Sequence, residues 1–150
     1  MGRLAQTLGR TNINLVPLAD FKMTEIEILR IRQALLISWS ADTSDIFHSA
    51  MHPSYGQCAP TAIVVKEVFG GEILKTKGWP TDGRHFYNRI EGVRHDFTAE
   101  QFTSNADYSH LVEYEDILSD SNEAGTEARA CQVEALRMAF NQAFHLVRTS

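Results

Sequence analysis

Cys58 is a candidate for nucleophilic chemistry because it stands at the predicted start of a helix. It lies in the stretch SYGQCAPTAIVVKEVFGGE. Pro60 fits the first turn of a helix, where an N–H group would have no intrahelical partner. The positive end of a helix dipole lowers the pKa of a nearby thiol and favours the nucleophilic thiolate. Free cysteines are also among the most buried residue types, so a packing role is the alternative.

A base and an orienting carboxylate are available in the stretch RHFYNRIEGVRHDFT, residues 84–98. Runs of β-forming residues on both sides of Glu91-Gly92 predict a hairpin with a two-residue turn. Alternate residues of a strand share a face, and so do residues directly opposite each other. One face then carries His85, Tyr87, Arg89, Arg94 and Asp96, and the other carries Phe86, Asn88, Ile90, Val93, His95 and Phe97.

His85 and Asp96 are diagonal neighbours on the first face, so the carboxylate can orient the imidazole. If the helix that begins at Cys58 lays its N-terminus over this face, the three residues form a nucleophile, a base and an orienting group. Asn88 is the rival third member, although this register places it on the opposite face and only a one-residue bulge would reverse that. The alternative for the whole face is a polar, solvated hairpin surface whose reverse side is core.

Other side chains are candidates for holding a substrate. Gln57 can help to hold an oxyanion together with the backbone N–H of Cys58, or it can cap the helix. For Trp39 and two of the aromatic candidates, Tyr55 and Trp79, packing in an aromatic core is the favoured alternative. The predicted substrate-binding residues are Tyr55, Trp79, Tyr87 and Asn88.

Metal binding is the remaining chemistry that these residue types allow, since Cys58 and the histidines at positions 48, 52, 85 and 95 offer ligands. Their spacings match no zinc pattern. We therefore predict no metal and no cofactor. The two cysteines, Cys58 and Cys131, also make a poor disulfide framework for a chain of this length.

The composition argues against several classes of protein. A chain of 150 residues favours a single domain. A net charge of −5 with mixed signs lacks the basic stripe of a nucleic-acid-binding protein. No segment approaches the ~20 apolar residues of a membrane span, and the first residues lack the apolar region of a secretory signal. We expect a cytoplasmic protein with a small-molecule or peptide substrate and no nucleic-acid or membrane partner. The sequence does not specify the oligomeric state.

Three helices are predicted from apolar periodicity and from the residues at their ends. They span about 24–38, 58–69 and 125–147. A capping box formed by Thr24 and Glu27 begins the first helix, and Gly70-Gly71 ends the second. Cys131 falls inside the apolar pattern of the third helix and is predicted to be structural.

The remaining segments complete an α+β fold, with a small antiparallel sheet packed against helices. A strand is predicted over 72–77, a loop over 78–83 and the hairpin over 84–98. A second capping box at 98–101 leads out of the hairpin, and residues 103–122 are polar and broken. Residues 1–22 are expected to pack as an arm or to lie loose.

Three separated motifs resemble the YunG-like family of small bacterial proteins: SWSADTS, PSYGQCAPTAIVVKEVFGGEILKT and HFYNRIEGVRHDFTAEQF. The resemblance covers about Ile28 to Phe102. More remotely, a cysteine at a helix start, followed by His and Asp on neighbouring strands, is similar to papain-like and transglutaminase-like folds. That similarity implies that Cys58 is the nucleophile, His85 the base and Asp96 the orienting residue.

Three functions are consistent with these observations. The first is a cysteine-dependent hydrolase or acyl transferase that acts on an amide or thioester through Cys58, His85 and Asp96. The second is a non-catalytic binding module that keeps a papain-like fold and uses the cleft or an edge strand to hold a partner. The third is a zinc-stabilised structural protein. We favour the enzyme.

Overall fold

The computed structural model describes residues 22–46, 48–77, 84–103 and 113–150. Nearly all of the predicted N-terminal arm, together with Trp79, lies outside these residues. Within them the chain has an α+β fold, with a small antiparallel sheet packed against helices as predicted. None of the described helices is long and apolar enough to cross a membrane. The elements are α1 Glu25–Ser38, α2 Cys58–Phe69, β1 Glu72–Lys77, β2 Arg84–Ile90, β3 Val93–His95, α3 Glu100–Thr103, β4 Ile117–Ser119, α4 Ser121–Ala124 and α5 Ala130–Thr149.

Among the described residues the sheet has four strands in the order β3-β2-β1-β4, and each neighbouring pair runs antiparallel. Between β2 and β3, Glu91 and Gly92 have φ angles of 52° and 78°. Two successive residues with positive φ are typical of the type I′ turn, whose twist matches that of a hairpin. Ile90 lies opposite Val93, so the hairpin register predicted from the sequence is confirmed.

The helices pack on the face of the sheet that carries Ile73, Phe86 and Ile90. Asn88, on the same face, donates from its Nδ2 to the Ala62 carbonyl oxygen of α2 across 2.9 Å. The body of α2 therefore covers the face opposite His85, and only its N-terminal end is left to meet that histidine. The core on this side is completed by residues of α1, α2 and α5, among them Ile31, Leu35, Ile63, Val64, Leu136 and Phe140.

The other face of the sheet carries Thr76 and Tyr87 and is covered by residues 113–116, which lead into β4. The Thr76 hydroxyl donates to the Glu113 carbonyl oxygen across 2.7 Å and accepts from the Glu115 N–H across 3.1 Å. The Tyr87 hydroxyl accepts from the Asp116 N–H across 2.9 Å. Two buried side chains of the sheet thus hold this extended segment in place.

β4 falls within the stretch 103–122 and α4 begins in it, although the polar sequence there predicts no regular element. β4 has three residues and α4 has four, which is too short for a hydrophobic period to show. β4 is recognisable only through its pairing with β1, in which Leu118 lies opposite Leu74.

The predicted ends of α1 and α2 are confirmed. The Thr24 hydroxyl accepts from the Glu27 N–H, and the Glu27 carboxylate accepts from the Thr24 N–H, which completes the capping box. Gly70 and Gly71 end α2 with φ angles of 77° and 79°. A Cβ on Gly71 would lie 2.2 Å from the Arg89 carbonyl oxygen, so the approach of α2 to β2 requires glycine there.

The prediction for the last helix is wrong at its N-terminal end. α5 begins at Ala130 rather than near Gly125, and Cys131 in its first turn is exposed. Cys131 is therefore not a buried structural residue. The buried stripe of α5 begins one residue later, at Gln132 and Val133. Because Cys131 is next to this stripe in the sequence, the apolar pattern wrongly included it.

Candidate active site

Cys58 is the first residue of α2 and is half-buried. The chain enters the helix through Gly56, whose φ is 70° and where a Cβ would lie 2.7 Å from Ile46 Cβ. Pro60 removes one first-turn N–H, while those of Cys58 and Ala59 have no partner within the helix. The local sequence thus places a thiol at the positive end of a helix dipole.

His85 lies near the start of β2 with 2% of its surface exposed. Its Nε2 is 2.7 Å from Asp96 Oδ2, and the Cys58 side chain at the start of α2 interacts with the same imidazole. β3 pairs with β2 only from Asn88 to Ile90, so no β3 residue pairs with the part of β2 that carries His85. The imidazole there meets the N-terminus of α2 on one side and Asp96 on the other.

The protonation of His85 follows from these neighbours. Burial lowers the pKa of His85, but hydrogen bonds and charge interactions with Asp96 and Cys58 outweigh it and raise the pKa to about 9. The imidazole is therefore protonated at neutral pH. A protonated imidazole stabilises a neighbouring thiolate and can act as a general acid.

The Asp96 carboxylate is buried and is held by hydrogen bonds on both oxygens. Oδ2 accepts from His85 Nε2 and from the Tyr114 hydroxyl, each across 2.7 Å. Oδ1 accepts from the Thr98 N–H and hydroxyl, across 3.2 Å and 3.3 Å. Burial opposes ionisation, but the bonds from His85, Tyr114 and Thr98 lower the pKa of Asp96 below its ordinary value. Asp96 is thus a fixed anion beside the imidazole.

Sequence patterns do not reveal three further contacts of this site, made by Thr98, Gln101 and Tyr114. Gln101 Nε2 lies 3.2 Å from His85 Nδ1 and 3.2 Å from Thr98 Oγ1. Thr98 and Gln101 belong to the predicted capping box, a pattern that points to a turn and not to a histidine. Tyr114 follows Asp96 by 18 residues, and no local pattern connects the two.

Gln57 is fully buried, and its side-chain amide is bonded within the interior. Its Oε1 accepts from the Thr43 hydroxyl across 2.8 Å, and its Nε2 donates to the Ser40 carbonyl oxygen across 3.4 Å. The side chain makes no capping bond to α2, so the alternative role suggested by the sequence is wrong. A role as oxyanion donor stays a prediction.

The predicted substrate-binding residues lie in different surroundings. Tyr87 is 1% exposed, stacks on His85 and donates from its hydroxyl to Asp116 Oδ1 across 3.0 Å. Asn88 is equally buried, between the sheet and α2. Both side chains are buried, and only Tyr87 lies on the face of the sheet that carries His85. Tyr55 is half-exposed and stacks on His52 with ring centroids 5.1 Å apart.

Trp39 belongs to the core, as the favoured alternative predicts. It is 4% exposed, and its Nε1 donates to the Thr61 hydroxyl of α2 across 2.9 Å. As to metals, the residues that the structure describes contain no group of three or more His, Cys, Asp or Glu side chains that could hold an ion.

Comparison with known proteins gives the family. A family model described as YunG protein matches residues 27–145, a range that includes Cys58, His85, Asp96 and Tyr114. The chain belongs to the YunG family. It is 38% identical over 112 residues to the Bacillus subtilis (strain 168) protein described as "Uncharacterized protein YunG". That alignment covers 75% of this chain and 90% of the relative. No solved structure matches the chain.

Proposed function

We propose that this protein is a cysteine-dependent hydrolase or acyl transferase that acts on an amide or thioester of a small molecule or peptide. The supporting observation is that the His85 imidazole, which bonds Asp96 across 2.7 Å, also interacts with the Cys58 side chain at the start of α2. Nucleophilic catalysis by cysteine uses a nucleophile, a base beside it and a group that orients the base. A buried imidazole–carboxylate pair also costs desolvation free energy that apolar side chains would avoid, which favours a functional reason for it.

In this mechanism the Cys58 thiolate attacks the carbonyl carbon and forms a C–S bond, while the carbonyl electrons move onto oxygen. Collapse of the tetrahedral intermediate breaks the bond to the leaving group, and the His85 imidazolium gives its proton to the departing amine or thiol. Water or an acceptor amine then attacks the acyl-enzyme, and neutral His85 takes a proton from it. The second collapse breaks the C–S bond and releases Cys58 as thiolate, while Asp96 stays ionised and holds the ring.

The negative oxygen formed in this reaction needs hydrogen-bond donors. The backbone N–H groups of Cys58 and Ala59 belong to the first turn of α2 and have no intrahelical partner, so we assign them this role. The contacts of Gln57 with Ser40 and Thr43 direct its amide into the interior. We therefore expect Gln57 to contribute less to stabilising the oxyanion than these two backbone N–H groups.

We also propose that the fold is of the papain-like or transglutaminase-like type. Support comes from the chain order: a cysteine at the first residue of a helix, a histidine on an antiparallel strand, and an aspartate directly after the next strand. We place the protein in the cytoplasm, because Cys58 and Cys131 are both free thiols, as is usual in a reducing compartment.

A non-catalytic binding module is the second candidate, and the position of Gln57 favours it. An enzyme of this kind gains much of its rate from donors aimed at the developing oxyanion. Here the side-chain amide next to the cysteine is bonded elsewhere. In a binding module the same buried network would serve only to shape the surface around Cys58.

Alkylation of Cys58 tests whether Cys58 and His85 act together as a catalytic dyad. The experiment uses Cys131→Ser as background, because Cys131 is exposed and would compete for the reagent. We expect His85→Ala to slow the reaction of Cys58 with iodoacetamide at pH 7 by about tenfold or more, since the thiolate loses a cationic neighbour. The matched control is His95→Ala, a half-buried histidine of the same hairpin on the opposite face, which should leave the rate unchanged.

Acyl transfer is then tested by incubating the protein with a panel of thioesters and activated amides. We expect a mass increase equal to the acyl group on the peptide that contains Cys58, and none in Cys58→Ser. Equal alkylation rates in the two histidine variants would show that His85 does not activate Cys58. Normal alkylation without an acyl adduct from any member of the panel would favour the binding module.

A further inference from the structure

Tyr114 reaches the candidate site from residues 113–116, outside the hairpin that carries His85 and Asp96. Its hydroxyl donates to Asp96 Oδ2 across 2.7 Å. His85 Nε2 contacts the same oxygen across 2.7 Å. Two donors on one carboxylate oxygen share its negative charge. The Tyr114 contact therefore affects how strongly Asp96 stabilises the protonated form of His85.

The ring of Tyr114 is held firmly enough for such a role. It packs edge-to-face on Tyr87 with centroids 4.9 Å apart, and the Arg94 guanidinium lies 4.6 Å from its centroid. Thr76 holds the backbone on both sides of it, through Glu113 and Glu115. Burial and the bond to Asp96 raise the pKa of Tyr114 well above its ordinary value, so the phenol stays a donor.

We propose that Tyr114 is a positioning residue of this site, which sets the proton affinity of His85 by sharing Asp96 Oδ2 with it. The inference rests on the proposed function, because a tuned imidazole matters only if Cys58 is a nucleophile.

The direction of the effect follows from the two charge states of His85. Beside a neutral imidazole, the negative charge of Asp96 is uncompensated, and the Tyr114 hydrogen bond then stabilises the carboxylate most. Beside an imidazolium, part of that charge is neutralised, and the same bond contributes less. Tyr114 therefore stabilises the neutral form of His85 relative to the charged form. Removal of the hydroxyl should make His85 bind its proton more tightly.

Other charged or titratable groups of the described structure lie near His85, Asp96 and Tyr114. Cys58 on α2 interacts with His85, Tyr87 on β2 stacks on His85, and Arg94 on β3 lies over the ring of Tyr114. Asp116, directly before β4, bonds Tyr87 and Arg94. Tyr114→Phe removes a single oxygen and replaces none of these side chains.

The test is a titration of the His85 imidazole by nuclear magnetic resonance, with its signal assigned by its loss in His85→Ala. We expect Tyr114→Phe to lower the acid dissociation constant of the His85 imidazolium by roughly three- to tenfold, a fraction of the full strength of a hydrogen bond to a charged group. The matched control is Tyr87→Phe, which removes a buried hydroxyl that bonds Asp116 and not Asp96. We expect less than a twofold change there.

An unchanged constant in Tyr114→Phe would overturn the inference, and so would an equal change in both variants, because the effect would then come from loosening of residues 113–116. The titration needs no turnover, so its outcome is separate from that of the proposed function. If His85→Ala slows Cys58 alkylation while Tyr114→Phe leaves the constant unchanged, only the role of Tyr114 fails. If the constant shifts while His85→Ala leaves alkylation unchanged, the proposed function fails and Tyr114 acts only on the proton of His85.

Discussion

The proton on His85 makes a measurable contribution to stability that depends on pH. The pKa of His85 is about 9 in the folded protein, against 6.5 for an unperturbed histidine. Because the folded state binds this proton more tightly, its contribution is fully present below pH 6.5 and is lost as the pH rises through 9. At about 1.4 kcal/mol for each pH unit, the loss is roughly 3 kcal/mol. The side chain is 2% exposed, so solvent does not screen the interaction away.

Urea denaturation of the wild type and of His85→Gln at several pH values between about 6 and 9.5 measures this loss. Burial lowers the pKa of His95, and the hydrogen bonds of Asp96 lower the pKa of that carboxyl, so both groups are shifted toward the acid side of the window. His95 is present in both proteins, so its contribution cancels in the comparison.

We expect the free energy of unfolding of the wild type to fall by roughly 3 kcal/mol relative to that of His85→Gln between pH 6.5 and 9.5. A parallel dependence in the two proteins would refute the reasoning, because it would mean that the Asp96 and Cys58 contacts do not raise the proton affinity of His85. A larger fall in the variant than in the wild type would refute it as well.

Three further predictions follow from contacts away from the dyad. Asn88→Ala should lower the free energy of unfolding by about 1–3 kcal/mol in urea denaturation, because it removes a buried bond to Ala62, and it should leave the Cys58 alkylation rate unchanged. Thr24→Ala should cost about 1 kcal/mol through loss of the α1 cap, measured in the same way; no change in stability would show that the capping box is not formed in solution. Cys131→Ser should remove the alkylated α5 peptide in mass spectrometry without changing the labelling of Cys58, and it should change stability by less than about 0.5 kcal/mol, whereas a larger loss of stability would mean that Cys131 is buried after all.

The hairpin shows how far local reasoning reaches. The turn at Glu91-Gly92 determines which residues face each other, and strand alternation then places Asp96 with His85 and Asn88 on the reverse side. Both steps depend only on backbone geometry over a dozen residues. The Thr24 capping box and the Gly70-Gly71 stop were predictable for the same reason.

The side of each helix that becomes buried, and the face of the sheet that it covers, were less predictable than the helices themselves. Cys131 sits one residue before a buried stripe and is exposed, because the rotation of α5 against its neighbours decides which side is covered. The body of α2 could cover either face of the hairpin as far as its own sequence is concerned. It covers the Asn88 face, where Phe86 and Ile90 offer apolar surface.

The main helices, the strands of the hairpin and the nearness of His85 to Asp96 could be predicted from the sequence, since each depends on hydrogen bonds and alternation between residues close in the chain. The contacts of Cys58 with His85 and of Tyr114 with Asp96 depend on the tertiary fold. These contacts join segments that are far apart in the chain, and they form because packing the whole core brings the segments together. No local pattern predicts these contacts. The candidate residues Cys58, His85 and Asp96 could therefore be named from the sequence, whereas the side chains that hold them in place could not.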